Sequence, residues 1–136
     1  MKDMLSYMGQ YSCRVYYEDV DVGGICYHSK YLNFCERARS EVFFSQNSSP
    51  IHGEHHFVIR NINANFYTPS TFGDELIVNT YTKSYKNSSI ILYQEIKNKS
   101  DKVIFSMDVV LVCLKKDKVS RIPSSFKSLF LPQNKA

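Results

Sequence analysis

The sequence predicts an α+β domain in which a curved antiparallel sheet wraps around one long central helix. Three observations indicate this fold: one stretch has helical periodicity, four long stretches after it have strand character, and the connections between them are short and turn-rich. Because no second long helix is predicted, only a sheet can cover the apolar faces of the first. The 136 residues, 43% of them hydrophobic, suit a single domain over residues 1–136.

The predicted helix covers residues 28–45 and follows a first strand. Residues 12–18, SCRVYYE, are β-branched and aromatic, and this strand should end at the turn-forming DVDVGG. Beyond the turn, apolar residues recur at spacings of three and four, as on one face of a helix: Tyr31, Phe34, Cys35, Ala38 and Val42. Polar residues fall on the opposite side: Asn33, Glu36, Arg37 and Ser40.

After the helix the hydrophobic period changes to that of strands. The even positions of the first strand should face the helix, namely Val58, Arg60, Ile62, Ala64 and Phe66. ELIVNTYTKSY, SSIILYQEI and VIFSMDVVLVCL follow as further strands, and SSFKSLF should form a short C-terminal helix. The sheet leaves edges and apolar outer positions, including Ile59, Ile91 and Val110, that favour pairing with another subunit.

Composition and charge narrow the classes of function. The net charge of +4 is spread along the chain, and no aromatic RNA-binding signature or basic stripe indicates a nucleic-acid binder. No run of about 18 apolar residues predicts a membrane span, and no signal peptide is predicted. The four cysteines form no CxxC pair, so we expect reduced thiols and a cytoplasmic location. HGEHH lacks the spacing of a zinc site, so no metal and no cofactor is expected.

One polar constellation stands where the strand gives way to the helix. Asp21 is followed by Gly23 and Gly24, and then by Tyr27 and His28, where the helix should open. Glycines permit close approach of a ligand, and the first N–H groups of a helix have no intrahelical partner. A carboxylate near such donors can attack a carbonyl carbon, or activate water to do so, while the developing oxyanion lies on the N–H groups. An aspartate in such a turn is also simply a turn former.

The same stretch resembles a known family. VYYEDVDVGGICYHSKYLNFCERARSE is similar to the signature of the 4-hydroxybenzoyl-CoA thioesterase-like hot-dog family, especially its Tol–Pal-associated acyl-CoA thioesterase branch. That signature reads Y-x-D-x-D-x-x-G-x-x-Y-H-x-x-Y followed by E-R-A-R. The later FVIR, the F-Y-T-P stretch and the turn at Gly73 and Asp74 also match. The chain departs from the usual pattern at Val20, Val22 and Lys30, which bears on substrate length and rate.

The resemblance implies a hot-dog fold that self-associates as a homodimer or homotetramer, and hydrolysis of short- to medium-chain or aromatic acyl-CoA. It implies that Asp21 is the catalytic carboxylate, as nucleophile or general base, and that the backbone N–H of His28 is the oxyanion donor. Tyr17 would help to position Asp21, while Gly24 and Tyr27 would contact substrate. Acyl carrier protein is a further candidate partner. The alternatives are a binding module for acyl-CoA or acyl carrier protein that does not hydrolyse it, and a dehydratase-like lyase.

Two other residues need an interpretation. Arg60 falls on the predicted inward face of its strand, where a charge requires a partner, either a structural acid such as Glu36 or Asp108 or the CoA moiety. Cys26 lies near His28, but a small buried residue is the favoured interpretation over a catalytic thiol.

Overall fold

A computed structural model describes residues 5–131 and contains one long helix and six strands. Strand β1 (Ser6–Arg14) precedes helix α1 (Lys30–Ser45). The strands that follow are β2 (His55–Phe66), β3 (Glu75–Tyr85), β4 (Ser89–Lys97), β5 (Val103–Lys115) and the short β6 (Lys118–Val119). A 3-10 turn (Ser124–Phe126) leads into the one-turn helix α2 (Lys127–Phe130). The predicted order of strand, helix and four long strands is therefore confirmed, as is the short C-terminal helix.

All strands belong to one antiparallel sheet with the order β1-β3-β4-β5-β2, and β6 pairs with β5. The two strands that flank α1 in sequence are therefore the two edges of the sheet. The connections β3 to β4 and β4 to β5 are hairpins, as their turn-rich sequences predict. Strand β6 was not predicted, because a two-residue strand carries no period.

Helix α1 buries the apolar face that its periodicity predicts. Tyr31, Phe34, Cys35, Ala38 and Val42 are all buried, and Phe43 joins them. The ring of Tyr31 stacks on Phe105 of β5, with centroids 5.2 Å apart. Since these rings come from the first turn of α1 and from a central strand, their contact fixes where the helix begins relative to the sheet.

The segment before the helix differs from the prediction. The first strand begins earlier than residue 12 and ends at Arg14, and residues 17–19 form a 3-10 turn instead of extended strand. The carboxylate of Asp19 accepts a hydrogen bond from the N–H of Tyr16 at 2.8 Å, which closes this turn. Helix α1 begins at Lys30 rather than at residue 28, so His28 lies just before the helix.

Strand β2 contains a bulge at Arg60 that changes which residues face the helix. Ile59 pairs with Leu111 and Asn61 pairs with Val110, so one extra residue of β2 lies between two consecutive pairs. The extra residue exchanges the odd-numbered and even-numbered positions of β2 that face the helix on either side of the bulge. Phe57 and Ile59 line the groove beside α1 together with Ile62, so the predicted inward orientation of Val58 and Arg60 is wrong.

The partly buried arginine is Arg39 and not Arg60. Arg60 is exposed, and within residues 5–131 it has no ion pair, whereas Asp108 pairs with Lys83 at 2.7 Å. Arg39 donates a hydrogen bond to the side-chain oxygen of Gln94 at 2.9 Å. The amide of Gln94, which is fully buried, donates in turn to the carbonyl of Cys35 and the hydroxyl of Thr80. Burial lowers the pKa of Arg39 below its ordinary value.

The two phenylalanines Phe34 and Phe44 provide a test of this packing, because both lie on α1 while Phe34 is 1% exposed and Phe44 is 61% exposed. Phe34→Ala should lower the free energy of unfolding by about 3–5 kcal/mol, since it leaves a cavity in the core. Phe44→Ala should change it by less than about 0.5 kcal/mol. Urea unfolding of both variants at one protein concentration measures the difference, and similar losses would contradict the described orientation of the helix.

Candidate active site

The segment that connects β1 to α1 folds back on itself between Asp19 and Tyr27. Val20 and Cys26 form an isolated antiparallel bridge. On one side of it the N–H of Asp21 donates to the carbonyl of Ile25 at 2.9 Å, and on the other the N–H of Tyr27 donates to the carbonyl of Asp19 at 2.8 Å. These hydrogen bonds form a narrow antiparallel turn over residues 19–27, which we name the site turn.

The carboxylate of Asp21 is fixed by one oxygen only. Its Oδ1 accepts hydrogen bonds from the N–H groups of Gly23, at 2.9 Å, and Ile25, at 3.1 Å. Among the residues that the structure describes, Oδ2 has no partner, and the side chain is exposed. Asp21 is therefore a turn former through Oδ1 and carries a free, oriented carboxylate oxygen on Oδ2.

The start of α1 offers free hydrogen-bond donors. Within the described range 5–131, the backbone N–H groups of His28 and Ser29 have no hydrogen-bond partner, whereas the N–H of Lys30 donates to the carbonyl of Tyr27 at 2.9 Å. Ser29 is the N-cap residue of the helix, and its side chain makes no capping hydrogen bond. Two unpaired donors at the positive end of a helix dipole form a suitable site for an oxyanion.

Ser29 is the donor that the sequence did not indicate. The resemblance names only the N–H of His28, although the first N–H groups of any helix lack an intrahelical partner. The described start at Lys30 puts both His28 and Ser29 ahead of the first full turn. The absence of an acidic residue and of a side-chain cap at this terminus is the signal that the N–H groups are free.

The segment of residues 68–72 holds the site turn against the body of the domain. The N–H of Cys26 donates to the carbonyl of Ser70 at 2.8 Å, and the N–H of Phe72 donates to the carbonyl of Gly24 at 3.0 Å. The buried hydroxyl of Ser70 lies 2.8 Å from the hydroxyl of Tyr31 in α1. Backbone hydrogen bonds thus join the site turn to residues 68–72, and the buried pair of hydroxyls joins residues 68–72 to the helix.

Aromatic rings form one wall beside the helix start. The imidazole of His28 lies 4.7 Å from the ring of Tyr27 and 6.3 Å from that of Phe66, measured between centroids. Phe66 in turn packs edge-on against Phe105 at 5.0 Å. A cleft of about 240 Å³ lies here, lined by Cys26, His28, Tyr31, Phe66, Tyr67, Thr68 and Pro69. The free N–H groups therefore adjoin a largely apolar surface.

A larger groove of about 440 Å³ runs between α1 and the sheet. Its lining includes Leu32 of α1 and Ile62 of β2. This groove shares no lining residue with the cleft at His28, and both lie beside α1 and β2. Its far part contains Arg39 and Phe43.

Two of the predicted site residues, Tyr17 and Arg60, make no hydrogen bond to Asp21 within residues 5–131. Tyr17 is 83% exposed and packs edge-on against Phe72 with centroids 6.2 Å apart. Arg60 lies on the edge strand β2 at the bulge. Asp21, Gly24, Tyr27 and His28, by contrast, all belong to the site turn or to the residue after it.

Cys26 is not suited to act as a nucleophile. It is 4% exposed, and burial raises the pKa of its thiol above the ordinary value. The thiol therefore stays protonated at neutral pH, and only the thiolate is an effective nucleophile. This confirms the interpretation of Cys26 as a small buried residue of the core.

Comparison with known proteins identifies the family. Residues 23–105 match the model of the thioesterase superfamily, and the chain belongs to this family. An acyl-CoA thioesterase from Helicobacter pylori, YbgC, is 51% identical over 84 residues, and this match spans 62% of the chain and 63% of that relative, less than two thirds of its length. The acyl-CoA thioester hydrolase YbgC of Escherichia coli O157:H7 is 34% identical over 123 residues, which is 86% of the chain and 91% of the relative.

Solved structures agree with the fold. A probable thioesterase from Bartonella henselae is 25% identical, with a TM-score of 0.79 over 87% of this chain and all of that one. A Staphylococcus aureus protein in complex with CoA is 13% identical and shows the fold alone, with a TM-score of 0.85 over 96% of this chain and 85% of that one. The predicted hot-dog fold, with its curved antiparallel sheet and central helix, is confirmed. Among the described residues, no helix is both long and apolar enough to cross a membrane.

The adjacent glycines of the site turn should respond differently to an added methyl group. Gly24 has a φ of +81°, so Gly24→Ala should lower the free energy of unfolding by about 1–2 kcal/mol although its Cβ would meet no atom within 4 Å. Gly23 has no such φ, and a Cβ there would lie 3.5 Å from Oδ1 of Asp21, an ordinary contact. Gly23→Ala should therefore change the unfolding free energy by less than about 0.5 kcal/mol. Equal effects in urea unfolding would contradict the described backbone of the turn.

Proposed function

We propose that the protein hydrolyses the thioester of an acyl-CoA to the free acid and CoA. The observation that carries this proposal is that the segment before α1 holds both a free carboxylate oxygen, on Asp21, and two unpaired N–H groups, at His28 and Ser29. Thioester hydrolysis needs these two functions: a base or nucleophile at the carbonyl carbon and donors for the oxygen that becomes negative. The family and the names of the relatives support the same reaction.

In the proposed complex, the thioester carbonyl oxygen accepts hydrogen bonds from the N–H groups of His28 and Ser29, and its carbon faces Oδ2 of Asp21. In one route Asp21 takes a proton from water while the water oxygen attacks the carbon. In the other, Oδ2 itself attacks and forms an anhydride that water then hydrolyses. In both, the carbon–sulfur bond breaks and the CoA thiolate takes a proton, for which the ring of His28 is a candidate donor.

The unpaired N–H groups would make a large contribution to the rate. They are held by the backbone before substrate binds, so they need not reorganise when the oxyanion forms. An oxyanion donor is typically worth about 3–4 kcal/mol of transition-state stabilisation. The helix dipole adds positive potential at the same place. The donors therefore act on the transition state more strongly than on the neutral thioester.

We assign the acyl group to the groove beside α1. Most of its lining is apolar, and Leu32 and Ile62 of that lining are four residues in sequence from His28 and Phe66 of the cleft. The CoA moiety of the bound substrate would extend out of the site on its exposed side, past Gly24 and Tyr27. Tyr17, exposed against Phe72, suits a contact with CoA at the rim better than contact with Asp21. Arg60, exposed and unpaired within residues 5–131, keeps its guanidinium free for a CoA phosphate.

Self-association belongs to the same proposal. Strand β2 is a twelve-residue edge strand whose exposed apolar side chains include Ile59, Ile62 and Phe66. Long exposed edges are normally paired or covered, so we propose a homodimer or homotetramer in which this edge is buried. The four cysteines are free, which supports a reducing, cytoplasmic location. An acyl carrier protein presents a thioester to the same groups, and it is a further candidate substrate carrier.

Sedimentation tests the self-association. The chain has a mass of 15.8 kDa, and sedimentation equilibrium at micromolar concentration should give two or four times that mass. A mass equal to one chain across the concentration range would contradict burial of the β2 edge.

Asp21→Asn tests the catalytic role directly. The asparagine oxygen can still accept the N–H groups of Gly23 and Ile25, so the turn should persist while the base and nucleophile are lost. Thiol release from a panel of acyl-CoAs of different chain length should fall at least about a thousandfold in kcat. The matched control is Asp108→Asn, which removes a carboxylate that pairs with Lys83 on the sheet.

Three outcomes decide between the alternatives. Full turnover by Asp21→Asn with an unchanged melting temperature would refute the role of Asp21. Binding of acyl-CoA by the wild-type chain without thiol release from any substrate would favour a binding module. Loss of a β-hydroxyacyl thioester without thiol release, accompanied by formation of the unsaturated thioester, would favour a dehydratase-like lyase.

A further inference from the structure

Asp19, two residues before Asp21, links three segments around the candidate site. Its Oδ2 accepts the N–H of Tyr16 at 2.8 Å, its carbonyl accepts the N–H of Tyr27 at 2.8 Å, and its Oδ1 lies 3.7 Å from Nζ of Lys30. The side chain of Asp19 is only 6% exposed. A buried carboxylate requires compensation, and Lys30 is its one ion-pair partner within residues 5–131.

Lys30 stands at a position that is unfavourable for a lysine. It is the first residue of α1, where the helix dipole is positive and where no acidic residue is present in the first turn. A cation at this end of a helix is normally destabilising by a few tenths of a kcal/mol to about 1 kcal/mol. The side chain is 32% exposed and extends back to Asp19. When a residue beside an active site opposes the preference of its local structure, as a lysine does at a helix N-terminus, the reason is commonly functional.

We propose that Lys30 is a positioning residue, whose ion pair with Asp19 holds the site turn so that Asp21 stays opposite the free N–H groups of His28 and Ser29. This inference rests on the proposed thioesterase activity. Lys30 is the first residue of the helix. The carbonyl of Asp19 accepts a hydrogen bond from the N–H of Tyr27, the residue before His28. The ion pair therefore links the turn that carries the Asp21 carboxylate to the helix start that carries the proposed oxyanion donors.

The effect on catalysis follows from geometry. The distance from the Asp21 oxygen to the thioester carbon is set by the turn, while the position of the carbonyl oxygen is set by the helix start. Without the ion pair between Asp19 and Lys30, the site turn and the helix start can shift relative to each other. Misplacement by about 1 Å can cost up to a hundredfold in rate. Because the ammonium of Lys30 pairs with Asp19, the residue need not touch substrate, and its loss should leave binding little changed.

Lys30→Met tests the inference, since methionine keeps the apolar stem and removes the charge. We expect kcat for acyl-CoA hydrolysis to fall about ten- to a hundredfold, with KM within about twofold of the wild-type value. Lys30→Arg, which can still pair with Asp19, should recover most of kcat. The matched control is Lys83→Met, which breaks the ion pair with Asp108 on the sheet and should leave kcat unchanged.

A double-mutant cycle identifies the partner. Asp19→Asn keeps an oxygen for the N–H of Tyr16 and removes the charge, so it should lower kcat by a similar factor. If the two side chains act as a pair, the double variant Asp19→Asn with Lys30→Met should be little slower than either single variant. Independent effects that multiply in the double variant would overturn the assignment of Asp19 as the partner through which Lys30 acts.

The outcomes separate this inference from the proposed function. A wild-type chain that releases no thiol from any acyl-CoA contradicts the proposed function itself. An active wild type with a fully active, folded Lys30→Met variant contradicts only the positioning role. A fall in kcat matched by an equal fall for Lys83→Met, or one that Lys30→Arg does not recover, also overturns it, because the loss would then reflect general stability.

Discussion

The hydrogen bond from the N–H of Tyr27 to the carbonyl of Asp19 is the contact on which the candidate site depends. It closes the turn that separates the end of β1 from the start of α1, and so links two groups with different origins through the backbone. The carboxylate of Asp21 belongs to the turn, whereas the N–H groups of His28 and Ser29 belong to the helix terminus. A backbone hydrogen bond costs no side-chain entropy and can hold this relation before substrate arrives.

The rest of the fold serves to keep the helix terminus in place. Tyr31, in the first turn of α1, stacks on Phe105 and shares a hydrogen bond with Ser70, so one side chain connects the helix to both the sheet and the segment beside the site turn. The terminus itself has no capping side chain. Leaving those N–H groups unsatisfied costs helix stability, and aromatic packing below the terminus offsets it. The same unsatisfied groups are what a developing oxyanion requires.

Much of this arrangement follows from sequence, and the failures have physical causes. The buried face of α1 could be predicted because five apolar residues repeat at helical spacing, and β3, β4 and β5 because their runs are long and apolar. The orientation of β2 could not, because the bulge at Arg60 has no glycine or proline to mark it, and one extra residue exchanges the two faces. Likewise, the burial of Arg39 depends on Gln94, which lies 55 residues away in sequence. Tyr17 fits the motif, yet the 3-10 turn directs it to Phe72.

The central claim is that a thioester carbonyl oxygen binds the free N–H groups of His28 and Ser29 opposite Asp21. Proton–nitrogen NMR of the wild-type chain tests it with two acyl-CoA analogues of equal length. In one, a methylene replaces the thioester sulfur and the carbonyl remains, while the other is a thioether without a carbonyl. The account predicts a downfield shift of the amide protons of His28 and Ser29 with the ketone analogue alone. Equal shifts with both analogues, or none at these two residues while the ketone analogue is bound, would contradict it.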